Sequence, residues 1–177
     1  CAKKLADKLG VIGAFDDATI DRMQRNLSDR DSLLDIVSET YWNMDAYLKE
    51  NDRENISALM IAGGWMEGLH IGVQVCTMND TPELRQRLAE QKLSLEDLIA
   101  LIATYDTSDA AIAGVKKDLD ELLAIYQDVK VGGGENAITQ ENGITVVGSG
   151  GPKATLTDAQ FAALREKVTA IRTNYIN

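Results

Sequence analysis

Apolar residues recur at spacings of three and four along most of the 177-residue chain, the rhythm of helices that each bury one stripe. Ala2, Leu5, Ala6 and Leu9 place a helical segment over residues 1–9, closed by Gly10, which suits the left-handed position after a helix. After the apolar connector 11–14, Asp16 and Asp17 are placed to cap a short helix through Leu27, with Ile20, Met23 and Leu27 inward. Ser28 is the expected cap of a helix over 29–50 with the stripe Leu34, Val37, Tyr41, Met44 and Leu48. Asn51 and Glu54 then have the spacing of a reciprocal capping box.

The helix this box predicts, over 52–77, differs from the others. Ile56, Leu59, Met60, Ile61, Trp65, Met66, Leu69, Ile71, Val73, Val75 and Cys76 fall on all its sides, so the expectation is a central helix enclosed by neighbours. Glu67, His70, Gln74 and the Gly63-Gly64 pair make a transmembrane role for it costly. Two adjacent glycines cost a helix roughly 1 kcal/mol each, which predicts either close backbone packing there or a kink, with Gly64→Ala destabilising in the first case.

Thr81-Pro82 marks a new start, with Thr81 as cap and Pro82 in the first turn. Leu84, Leu88, Leu95, Leu98, Ile102 and Tyr105 keep the rhythm, and Ser94 is either a break or an interior residue. Over 109–129, Ile112, Val115, Leu119, Leu122, Tyr126 and Val129 step regularly by three and four, as in bundle helices. Composition then shifts to a Gly-rich linker within about 131–152, where 137–141 and 144–147 flank Asn142-Gly143, a strong signal for a two-residue β-hairpin. Thr157 with Gln160 repeats the capping-box spacing, Leu156 with Phe161 that of a hydrophobic staple, and Phe161, Leu164, Val168, Ile171 and Tyr175 define a last helix. The expected fold is all-α: one irregular bundle over 1–177 around a central apolar helix, with a small β-hairpin insert packed over one end or shielding an entrance. No internal repeat supports a solenoid.

The chain has 45% hydrophobic and 26% charged residues and only two prolines, in keeping with a folded domain of long helices. A net charge of -10 argues against a nucleic-acid partner, which calls for a basic surface. The acidic residues recurring from Asp106 to Asp128 read as a solvated helix face. Cys1 and Cys76 set no disulfide framework.

Candidate chemistry centres on Glu67-Gly68-Leu69-His70, a Glu-x-x-His on the apolar helix. Dinuclear carboxylate centres in helix bundles need two such motifs, and this chain has one histidine. A mononuclear site borrowing a carboxylate is the remaining metal arrangement, and a polar layer that fixes helix register is the plainer reading. Trp65, Glu67, His70 and Gln74 are the candidate ligand-binding set, with partners expected from Tyr41, Trp42, Asn43, Tyr105 or Tyr126. No catalytic or metal residue is assigned and no cofactor is implied: the glycines before Lys153 lack phosphate-loop spacing, and Cys76 follows His70 without a nucleophile motif.

The stretches 5–14 and 31–33, the run 58–69 with its Gly63-Gly64-Trp65-Met66-Glu67-Gly68-Leu69 core, and 90–95 together resemble a group of uncharacterised helical periplasmic lipoproteins of Bacteroidetes-type bacteria. The likeness spans roughly residues 1–130. It implies an acidic helical domain in the periplasm or at the cell surface, membrane-anchored through a lipid upstream, so Cys1 itself does not match the lipidated cysteine. It carries no catalytic or binding residue. The resulting expectation is an extracytoplasmic domain that binds a small molecule or an envelope protein, the alternative being an enzyme or metal-binding protein built on a polar pocket around Glu67 and His70.

Overall fold

Six helices and two short strands follow one another among the described residues of the computed structural model: α1 (Asp17–Arg25), α2 (Arg30–Glu50), α3 (Glu54–Met78), α4 (Pro82–Ile102), α5 (Ala110–Ile125), β1 (Asn136–Glu141), β2 (Ile144–Ser149) and α6 (Asp158–Ile176). The structure describes residues 7, 8, 10, 16–106, 108–131, 136–141, 144–149 and 154–176. Most of the helix expected over 1–9, and the 11–14 connector, lie outside these residues. Gly10 does hold the left-handed conformation at φ 70. The chain divides into two units, residues 1–60 and 61–177, and α3 runs through the boundary.

In the first unit, Asp16 caps α1 as its position predicts, accepting the Thr19 N–H at 2.8 Å. The helix stops at Arg25, so Leu27 is 73% exposed rather than inward. Asp29, not Ser28, caps α2: one carboxylate oxygen takes the N–H groups of Asp31 and Ser32 and the other takes the Ser32 hydroxyl, more acceptor capacity than a serine offers. Met44 and Leu48 turn inward as expected, but in the first half of α2 the buried stripe is shifted from the expected one. Ile36, Thr40 and Leu48 are buried while Leu34 and Val37 are exposed. Leu33-Leu34 and Ile36-Val37 satisfy the helical period in either register, and burying Thr40 is cheap because its hydroxyl donates to the Ile36 carbonyl at 2.7 Å. Leu48 forms the small core of this unit with Met44, Ile56 and Met60.

Asn51 does not start α3; it ends α2. The Arg53 N–H reaches the Leu48 carbonyl (2.8 Å) and the Asp52 N–H the Lys49 carbonyl (3.2 Å), the paired bonds of a Schellman stop. The left-handed residue this stop requires is Asp52, at φ 54, where glycine is usual. The Asn51 side chain donates from Nδ2 to the Tyr47 carbonyl, turned back onto the last turn of α2.

Along α4, α5 and α6 most sequence signals translate directly, although Tyr175 of the expected α6 stripe is 45% exposed. Thr81 accepts the Leu84 N–H with Pro82 in the first turn, and α4 continues past Ser94, burying Leu88, Ala89, Leu95, Leu98 and Ile102. Ile112, Leu119, Leu122, Tyr126 and Val129 are buried along and just beyond α5. The Tyr126 hydroxyl, fully enclosed, donates to the Leu88 carbonyl at 3.0 Å, and Lys92 donates to the Val129 carbonyl at 2.8 Å. Thr157 and Gln160 exchange both capping bonds at 2.9 and 3.2 Å, with Leu156 and Phe161 buried beside them.

Two expectations are corrected here. Residues 136–141 and 144–149 pair antiparallel, Asn136 with Ser149 through Glu141 with Ile144, but among the described residues neither strand packs on a helix. Among the described residues the six helices, irregularly arranged, therefore make the fold all-α, and a hairpin insert packed over one end of a bundle or shielding an entrance is not found. A lone two-strand ribbon has no second layer against which to bury a face; its Asn142-Gly143 turn lies outside the described residues. The second correction concerns α3. Ala58, Ala62, Met66, Leu69, Val73 and Cys76 are buried at steps of three and four, while Ile71 is 54%, Val75 40% and Met78 79% exposed. The helix is apolar all round, yet one side is enclosed and the opposite side is not.

Replacing Asp52 with valine forces a β-branched residue into positive φ; denaturant titration is expected to show a loss of about 1 kcal/mol or more, with Asp52→Gly at least as stable as the parent. Tyr126→Phe removes a buried hydrogen bond while keeping its volume, and the same measurement is expected to show a loss of about 1 kcal/mol.

Candidate functional site

Helical geometry decides which candidate residues meet. Successive residues turn about 100° around an α-helix, so Glu67, His70 and Gln74, at i, i+3 and i+7, share one flank of the α3 stripe. Trp65 is two residues before Glu67 and lies about 200° around the helix, on the other flank. The four do not line one pocket.

On the first flank, Glu67 is bound by a residue that the sequence pattern did not suggest. Arg172 on α6 donates from Nε to Oε2 at 2.6 Å and from Nη2 to Oε1 at 3.0 Å, a fork-to-fork pair. The two positions are 105 residues apart, and no local spacing announces the pairing; the one available sign is that Arg172 adjoins the buried Ile171. These hydrogen bonds from Arg172 hold the Glu67 carboxyl below its ordinary value of 4.5, helped by the charge of the guanidinium. With both oxygens engaged, Glu67 is not presented as a metal ligand or general base, and the described residues contain no group of three or more side chains able to hold a metal ion.

Two of the expected partners are engaged or exposed elsewhere. Tyr126 bonds the α4 backbone, and Trp42 is 75% exposed. The indole Nε1 of Trp65 and the Nδ1 of His70 are enclosed without a hydrogen-bond partner among the described residues. Cys76 is fully buried, and burial, with the nearby Asp80 charge, pushes its thiol upward, the opposite of what an activated nucleophile needs. Asp80 accepts two bonds from Arg85, whose guanidinium lies 4.1 Å over the Phe161 ring and also reaches Asp158. This cluster ties the starts of α4 and α6 together.

Two open depressions lie along α5. One, of about 460 Å³, is walled by Lys116, Lys117, Asp120 and Glu121; the other, of about 400 Å³, by Lys92, Glu96, Leu123 and Gln127. Their charges are largely spent on pairs such as Lys116 with Asp120 at 2.7 Å and Lys167 with Glu121 at 2.8 Å. Neither depression includes Trp65, Glu67, His70 or Gln74.

The surface that stands out is the outer side of α3. Gly64 and Gly68 are exposed and continue into Ile71, Val75 and Met78 at helical spacing. A methyl group built on Gly63, Gly64 or Gly68 meets no atom of the described residues within 4 Å, whereas one on Gly72 comes 3.2 Å from the Leu88 side chain. Close internal packing thus accounts for Gly72 and not for the Gly63-Gly64 pair, and the expectation that Gly64→Ala destabilises the fold is reversed. By length and composition α3 is able to cross a membrane; its enclosed stripe and the Glu67–Arg172 pair join it instead to the other helices. No protein-family model, curated protein or solved structure matches the sequence.

The Glu67–Arg172 pair carries a pH signature. A carboxyl whose folded value is depressed adds stability that is present above its unfolded value, here near 4.5, and is lost as pH falls through the lower folded value. Thermal melts of the parent are expected to fall faster below pH 4.5 than those of Glu67→Gln, and parallel curves would falsify the pairing.

Proposed function

We propose that this protein is a helical binding module that packs the outer face of α3 against a helix of another protein, in the cell envelope as the lipoprotein resemblance implies. The observation that carries this reading is the cost left unrecovered on that face. Gly63, Gly64 and Gly68 each weaken a helix by roughly 1 kcal/mol relative to alanine, and none of the described residues occupies the space they leave. Small residues let a second backbone approach closely, and Ile71, Val75 and Met78, exposed beside them, supply apolar area that a partner would remove from water. A protein partner is preferred to a small molecule on shape: an outward helix side suits a helix, while a small ligand asks for concavity.

Stability and binding should move in opposite directions. Gly64→Ala and Gly68→Ala are each expected to raise the unfolding free energy by about 1 kcal/mol, read by urea titration, while Gly72→Ala does not, since Leu88 must give way. A photoreactive residue at Ile71 or Val75, introduced in the native cells, is expected to form a discrete protein adduct that Gly68→Leu abolishes. The same probe at the exposed Ala111 should form none. Equal labelling at both places, or none at α3, rejects the proposal.

A further inference from the structure

We draw no further inference here: the strongest candidate, the band of exposed glycine and apolar positions along the outer side of α3, belongs to the binding face already described, and nothing in the structure shows which molecule covers it.

Discussion

Ala62, Met66, Leu69, Val73 and Cys76 lie on one arc of α3 within the second unit, and all five are almost free of solvent. Burying side chains the size of Met66, Leu69 and Val73 contributes roughly 1.5–3 kcal/mol each, but only where neighbouring helices bring their own apolar stripes to the same place. Leu88 of α4 reaches the helix at Gly72, and α6 reaches it through Arg172 at Glu67. The buried stripes of α4, α5 and α6 are those on which the periodicity of the chain is most regular. Helices that enclose one arc leave the opposite arc in water.

Apolar stripes hold helices together more firmly than they align them, because one leucine slides past another at little cost. Alignment comes from polar groups at the edges of the core. Along α6, Lys167 and Tyr175 reach Glu121 and Asp118 of α5, while Arg172 reaches Glu67 of α3 and Asp158 accepts from Arg85 of α4. Leu164, Val168 and Ile171 lie buried along the same helix. Partly exposed ion pairs of this kind add little stability one by one. Spread over several partners, they leave α6 few alternative registers. Glu67 and Arg172 belong to this set, so the charge that first drew attention as chemistry has a geometric use.

The same logic separates the glycines of α3. Gly72 faces Leu88 and has a packing reason. Gly64 and Gly68 have open space and lower the helix's own stability, the type of local inconsistency that accompanies sites serving something other than the fold. On the proposed reading, a partner meeting a half-enclosed helix finds its backbone already ordered, which limits the entropic cost of association.

Much of the helical content was legible from the chain alone. Asp16, Thr81 and the Thr157–Gln160 pair cap helices where their residue types and spacing say they should, because capping is a contest among groups a few residues apart. The stripes of α4, α5 and α6 were readable for the same reason: each contains one unambiguous apolar period. Glu67, His70 and Gln74 were rightly placed on one side of a helix, since i+3 and i+7 spacing admits no other outcome. Tertiary structure decided the rest. Leu33-Leu34 and Ile36-Val37 fit two registers, and only packing chose between them. Asn51 had the chemistry to begin one helix or finish another, and the Schellman bonds to Leu48 and Lys49 settled which. Arg172 found Glu67 across 105 residues, a distance over which no local pattern operates. Which side of α3 meets water was open for a comparable reason: apolar residues on every face determine that the helix can be buried, and only the number and placement of its neighbours determine how far it is.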